Sequence, residues 1–415
     1  MRTKYKLRLT NQKTINLDPT ILFYVALAAI YINTIIGQTT IMYLSGMSII
    51  MKIIRWIAYL LCVAKICTQT YSMRAICKII PILCICFFVY YICDYNEALI
   101  GLLFILASQN IDIKKVAKEV MILTLVLLLL IILLAEFGVI QSNTTTVASS
   151  SRSYLWSSGT TIKLWGFSQH NHIGNKVLII ILCYIFLRYD HFKWFDLLPC
   201  TFAFYFSYFI EKSRTTALLI VISVILVLLF KLMRYLGAKT NKNCVAFCVY
   251  FVMLFSILFS LFMCITYDSS SAFYQFFDDL LTTRLSSAKS LFEQYGFSLF
   301  GQYINELNAS TATAVLDNAY MHLFINYGLV LGILIIVGYF SSAKLALREQ
   351  NYAILVIIAT IFVCGICECW FYLLTNNPFL LLLSTGLYNQ DLKIKKEDKI
   401  TNIRSKIRML PLRRM

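Results

Sequence analysis

Apolar residues in this chain come in continuous runs, broken by short polar and basic stretches. The runs lie near residues 20–37, 48–64, 79–93, 97–111, 120–140, 170–187, 195–210, 215–231, 244–265, 318–340, 351–370 and 371–388. A helix needs about 20 mostly apolar residues to cross a bilayer, so the pattern predicts about 12 transmembrane helices, the last pair alternatively a re-entrant hairpin. Continuous runs also exclude a porin-type barrel, whose strands alternate. Two of the intervening segments are long. Residues 141–169 are rich in Ser and Thr with interleaved aromatics. Residues 266–317 contain an amphipathic stretch, Asp279 to Tyr295, with Leu280, Leu281, Leu285, Ala288, Leu291 and Phe292 on one face. Such a helix is expected to lie at the membrane interface.

Composition sharpens the picture. Of 415 residues, 60% are hydrophobic and 14% charged, against about 25% charged in a soluble domain. This excludes a water-soluble enzyme and leaves no room for an ordinary extramembrane domain, so residues 1–415 read as one all-α polytopic membrane domain. The net charge is +17. In a soluble protein that excess would suggest nucleic acid; here its distribution accounts for it, and no nucleic-acid partner is expected. Of the 37 Lys and Arg, 28 fall in 1–18, 65–78, 112–119, 188–193, 231–243, 341–350 and the basic tail 389–415. Basic residues collect on the cytoplasmic side, so both termini are expected there and the two long loops outside. The start, MRTKYKLRLTNQK, lacks a following cleavage site and reads as a cytoplasmic tail and first anchor. Most of the 14 cysteines sit in apolar runs, where they act as small hydrophobes.

The remaining basic residues carry the candidate chemistry. Arg214 stands at the mouth of a span in EKSRTTALL, and an ion there is by default functional; Glu211, three residues away, is the competing ion-pair partner. Arg284 opens the amphipathic stretch, with Lys289 on a face that solvent alone would explain. Arg152 and Lys163 lie in the first long loop. Outside cations point to an anionic ligand, and guanidinium forks suit phosphate. The first long loop ends in WGFSQHNHIGNK, where Trp165, His170, Asn171 and His172 offer an aromatic platform and amides suited to a sugar. A helix cap with interfacial aromatics is the plainer reading, and HxH alone is a weak metal signal. In LDNAYMHLFINYGLVLG, Asp317 and Asn318 open a span, as an N-cap also would, and His322 follows. Five residues on a helix are offset by about 140°, so Asp317 and His322 are not expected to share one role. Cys364, Cys367 and Cys369 read as core packing. Asp278 and Asp279 are the one tandem acid outside. No 20–50-residue repeat or inverted repeat is present, which disfavours a transporter.

Four of these segments, in order, resemble the O-antigen polymerase and ligase family. SRTTALL is similar to its Ser-Arg-small-small motif, and WGFSQHNHIG to its glycine–aromatic–His/Pro–Asn–small motif. TTRLSSAKSLFEQYGFSLFGQYINE, then DNAYMHLFINYGLVLG, resemble its Arg-helix, glycine turn, acid/His-Asn-aromatic motif and Gly-rich span. The match covers about 160–340. The resemblance implies a GT-C-like glycosyltransferase of the bacterial cytoplasmic membrane. Its donor and acceptor would be undecaprenyl-diphosphate-linked oligosaccharides, with a chain-length regulator as a further partner. Ligases usually begin the last motif with His; Asp317 here fits the Wzy-type repeat-unit polymerases better. The implied roles are Arg214, Arg284, Arg152 and Lys163 on the diphosphate, Trp165, His170, Asn171, His172 and Asn318 on sugar, and Asp317 or His322 as base. Lipid diphosphate is already a good leaving group, so a metal-independent, inverting transfer without cofactor is expected. A ligase is the first alternative, a repeat-unit flippase the second.

Overall fold

The computed structural model describes residues 5–7, 15–146, 161–236, 242–281, 283–304, 316–369 and 371–388. Arg152, the whole of the tail 389–415 and the side chain of His170 lie outside the described residues. The helices are α1 Thr20–Gly37, α2 Met47–Cys67, α3 Met73–Cys93, α4 Glu97–Ala107, α5 Ile113–Glu136, α6 His170–Arg188, α7 Leu197–Tyr205 and α8 Arg214–Leu236. They continue with α9 Lys242–Ile265, α10 Ala272–Leu280, α11 Arg284–Tyr295, α12 Ala319–His322, α13 Gly328–Arg348, α14 Tyr352–Cys367 and α15 Ser384–Tyr388. Among the described residues, strands are confined to two small antiparallel pairs, β1 Tyr5–Leu7 with β2 Ile15–Leu17 and β3 Thr144–Thr146 with β4 Thr161–Lys163.

Among the described residues, 8 helices are long and apolar enough to cross a membrane. The chain is an all-α, multi-pass membrane protein. The outer helices present rows of bare apolar side chains, such as Ile49, Ile53, Trp56 and Leu60 on α2 and Leu125, Val126, Leu129 and Leu133 on α5. A surface of that extent is stable only against hydrocarbon. At the centre stands α14, apolar on every side and buried along nearly its whole length, packed on α6, α8, α9 and α13. A helix that is hydrophobic all round belongs in such a position.

Not every predicted run becomes a long helix. The run at 97–111 yields α4, with 11 residues, about 16 Å long and so well short of the hydrocarbon core. The run at 195–210 becomes α7 followed by a π-helical turn, Phe206–Ile210. Residues 371–388 do not form a single helix, because polar side chains interrupt them. Asn377 caps the turn Pro378–Leu383 through Phe379 N (3.1 Å) and donates to Tyr339 Oη (2.9 Å) and Phe371 O (2.5 Å).

The connections sort into two ends. At one, here the loop end, the 38–46, 161–169 and 211–213 segments meet: Thr40 N donates to Gly166 O (2.8 Å), Ser168 N to Gln38 O (2.9 Å) and Lys212 Nζ to Thr161 O (3.4 Å). At the opposite, basic end, Gln69 Nε2 donates to Ala107 O (2.9 Å), Lys114 approaches Asp190 (3.8 Å) and Lys231 Nζ donates to Phe192 O (2.5 Å). The amphipathic stretch lies at the loop end but is not one helix. α10 ends at Leu280 and α11 begins at Arg284, preceded by Thr283 with φ 63°. Leu281, Leu285, Ala288 and Leu291 are buried in a second apolar cluster with Met263 and Cys264 of α9, Met321 and Cys367, whereas Leu280 is exposed. The helix docks on the bundle through that face.

Candidate functional site

The helix α11 is held in place by an acid that precedes it. Asp278 Oδ1 accepts from Leu285 N (2.9 Å) and Ser286 N (3.0 Å), and its Oδ2 from Tyr267 Oη (3.2 Å). Donors at a helix N-terminus are unsatisfied without such a partner. Asp278 is therefore a capping residue whose oxygens are engaged by the protein itself. Its half-buried neighbour Asp279 stands beside it without joining the cap.

What α11 positions is Arg284, only 6% exposed. Its Nε meets Asp317 Oδ2 (3.3 Å), its Nη1 donates to Thr215 Oγ1 (2.9 Å) and its Nη2 to Glu368 Oε1 (3.0 Å). Three chain segments thus converge on one guanidinium: the start of α8, the residue preceding the N-cap of α12, and the residue after α14. Burial alone would favour the neutral form, but the Glu368 and Asp317 carboxylates outweigh it and raise the pKa above the ordinary arginine value. Removing either member of the buried Arg284–Glu368 pair costs about 3–5 kcal/mol, because it strands the other charge, whereas Asp317, a third exposed, is the outer partner.

Next to this cluster, Asn318 resolves the ambiguity of the DN pair. Its Oδ1 accepts from Tyr320 N (3.1 Å) and Met321 N (3.0 Å), while Nδ2 donates to Ser260 Oγ (2.6 Å) and Ile366 O (3.1 Å). Asn318 is the N-cap, fully buried with both ends of its amide used, so it has no atom left for a sugar in this arrangement. Asp317 is thereby released from capping. Its side chain is 31% exposed, and among the described residues only Oδ2 is engaged.

Arg214 begins α8, half-buried, directly beside Thr215. It forms no ion pair among the described residues. The competing partner, Glu211, is turned away: it is fully buried and its Oε1 accepts from Gly174 N (2.8 Å). A Cβ at Gly174 would stand 2.7 Å from Glu211 Oε1 and 2.5 Å from Thr216 Oγ1, so only glycine lets α6 come this close to 211–216. Glu211 Oε2 is buried with no hydrogen-bond partner. Desolvation raises the Glu211 pKa well above the usual carboxylate value, only partly offset by the Gly174 amide.

His322 lies one helical turn beyond Asp317, in a cage of tyrosines. Its Nδ1 is hydrogen-bonded to Tyr372 Oη, its Nε2 faces Asn326 Nδ2 (3.3 Å), and the Tyr95, Tyr327 and Tyr372 rings surround it at centroid distances of 6.5, 5.7 and 5.8 Å. A π-helical turn, Leu323–Tyr327, follows at once; such turns gather at functional sites, and the one at 206–210 flanks Arg214. The segment before α12 is pinned here too, since Gln302 N donates to Asn326 O (3.0 Å) and Leu329 N to Ser298 O (2.9 Å). Gly301 and Gly328, both at positive φ, pass so closely there that a Cβ on either would strike the other's strand of backbone.

The first-loop residues occupy a separate place. Lys163 Nζ pairs with Glu136 Oε1 (2.6 Å), and Trp165 Nε1 donates to the same oxygen (2.7 Å). Trp165 also stacks on Phe206 at 6.0 Å. Both side chains thus tie the β4 segment to the end of α5, and the charge of Lys163 is already matched. His172 Nδ1 lies 3.2 Å from Ser168 Oγ; Asn171 is half-buried beside it. Cys364 and Cys367 are buried and Cys369 half-buried, and the described residues contain no group of three or more His, Cys, Asp or Glu able to hold a metal.

Sequence reading brought Arg214, Arg284, Asp317, Asn318 and His322 to one end of the bundle but missed Glu368, Thr215 and the tyrosine cage. Glu368 carried a signal: it is a lone acid inside an apolar run, which is a functional candidate by default. Compared with protein families, curated proteins and solved structures, the chain finds no match in any of the three.

Proposed function

We propose that this protein is a polymerase of undecaprenyl-diphosphate-linked oligosaccharide repeat units, a Wzy-type enzyme making capsule, exopolysaccharide or O-antigen. In this reading it is a GT-C-like protein of about 12 membrane segments in the bacterial cytoplasmic membrane, both termini cytoplasmic, with the loop end facing outward. One observation carries the reading: Arg284 bonds both Asp317, a third exposed, and Thr215, the neighbour in sequence of Arg214, which forms no ion pair among the described residues.

Arg214 meets the donor's diphosphate, where a planar fork suits the phosphate oxygens. Arg284, neutralised by Asp317 and Glu368, positions the carboxylates rather than gripping phosphate. Asp317 offers its unengaged oxygen to the acceptor hydroxyl at the non-reducing end of the incoming unit. As that hydroxyl oxygen bonds to the anomeric carbon, its proton passes to Asp317, and the diphosphate leaves with the bonding electron pair. Direct displacement inverts the anomeric centre. The arrangement needs no metal for charge on the leaving group, because Arg214 supplies it.

The test is genetic and chemical. Cells lacking the protein are expected to export single repeat units but no long chains. Normal chains that fail only at transfer to a final acceptor would identify a ligase; lipid-linked units retained on the cytoplasmic face would identify a flippase.

A further inference from the structure

Between α3, α4, α13 and the 378–387 segment runs a groove with a volume of about 270 Å³. Its walls are aliphatic, among them Ile82, Leu102, Leu331, Ile335 and Leu383, and none of the described residues lining it is acidic. The two ends differ. At the loop end the groove stops on Tyr327 and Tyr372, the rings that enclose His322. At the basic end it opens beside Lys78 and Ser341. From Tyr327 to Ser341 along the helix is about 21 Å at 1.5 Å per residue, somewhat more than one leaflet of a hydrocarbon core about 30 Å thick.

The mouth at the basic end is cationic. Exposed Lys78 donates from Nζ to Gly386 O (2.8 Å). Arg74, also exposed, precedes it by four residues on α3, and exposed Lys344 follows Ser341 by three on α13; both spacings keep residues on one helix face. Helices α3 and α13 pack against each other, which brings these faces to the same opening. Basic pockets between membrane helices at a basic end attract anionic lipid headgroups. Aliphatic walls along the groove and a cationic mouth at its end together match a lipid with a hydrocarbon chain and an anionic headgroup.

We propose that the groove binds one acyl chain of an anionic phospholipid, its phosphate at Arg74, Lys78 and Lys344 and its chain end against Tyr327 and Tyr372. The lipid enters from the leaflet at the basic end, so this site is distinct from the one at the loop end and does not rest on the polymerase reading. Its chain end reaches the tyrosines that hold His322, and occupancy braces that cage from below.

The experiment uses the full-length protein purified in detergent and measured by native mass spectrometry with added phosphatidylglycerol or phosphatidylcholine. Phosphatidylglycerol is expected to be retained at least 10-fold more strongly, and the triple variant Arg74→Gln, Lys78→Gln, Lys344→Gln to lose that preference. Ala98→Phe, which fills the groove wall, is expected to abolish the bound lipid, while Leu129→Phe on the lipid-facing side of α5 leaves it unchanged. A second measurement is independent of how the variants fold: phosphatidylglycerol with a photoreactive acyl terminus should label wild-type peptides covering 327–341 and 372–387. Equal retention of the two lipids, unaltered retention in the triple variant, or labelling confined to other helices would overturn the proposal. So would displacement of phosphatidylglycerol from the groove by an isoprenyl phosphate, which would assign it to a prenyl chain.

Discussion

The carboxylate of Asp317 and the amide of Asn318 are adjacent in sequence yet have separate work, and substitutions should separate them. Asp317→Asn preserves shape and leaves the cap intact, so expression is expected to be normal; if Asp317 is the base proposed above, chain extension falls about 10²-fold or more, as for loss of a proton acceptor. Chain-length profiles on gels read this directly; normal polymer from Asp317→Asn together with none from His322→Ala would move the base to the histidine. Asn318→Ala should instead lower stability, by about 1 kcal/mol for the cap and more for the buried groups it strands. For Arg214→Lys the charge survives and the fork does not, and a loss of about 10²–10³ in rate is expected. Glu211→Gln should be nearly silent at neutral pH, because Glu211 pairs with Gly174 and not with Arg214. Its raised pKa means the native state holds the proton more tightly than the unfolded chain. Stability should therefore decline as pH rises from the ordinary carboxylate value toward the folded one, and Glu211→Gln should flatten that decline. Melting curves of both proteins across pH check the sign.

At the scale of elements, apolar runs revealed the long helices because a membrane span needs only length and composition. What they hid were breaks made by single side chains reaching over several residues. The amphipathic stretch read as one helix, since its apolar positions keep the right spacing across 281–283. The turn there depends on Asp278 reaching forward to Leu285 N and Ser286 N, and no local periodicity encodes that. Likewise Asn377, bonded to Phe371 O and Tyr339 Oη, turns a hydrophobic run into an irregular segment. The cap on α11 also yields a prediction away from the reacting atoms. Asp278→Ala should cost about 1–2 kcal/mol and loosen α11, reducing chain extension through Arg284 although Asp278 lies outside the cluster. If activity survives with the lowered melting temperature, α11 does not position the arginine in the way argued.

For the whole molecule, the two-ended arrangement makes orientation testable. In a cysteine-free background, Ser269→Cys at the loop end should react with an impermeant thiol reagent in intact cells, and Lys193→Cys at the basic end should not. The reverse pattern would turn the proposed site inward and end the polymerase reading. On the proposed reading activity is also expected to persist in EDTA, since Asp278 is committed to a helix cap and the proposal gives the cation's role to Arg214. The sequence placed the members of this site one by one, through residues that violate the expected side or sit at a span's mouth. It could not show that Arg284 is neutralised, because Glu368 lies 84 positions away and only the packing of α14 delivers it.

The meeting of Gly174 with Glu211 has a consequence for inheritance. Two distant stretches, HNHIG and IEKSR, touch at a point with no spare room, so neither can drift alone. A Gly174→Ala allele should be defective, and revertants selected for polymer should carry second changes that shorten Glu211 or remove the Thr216 hydroxyl. Suppressors scattered over the chain instead would mean that the contact tolerates an extra methyl group.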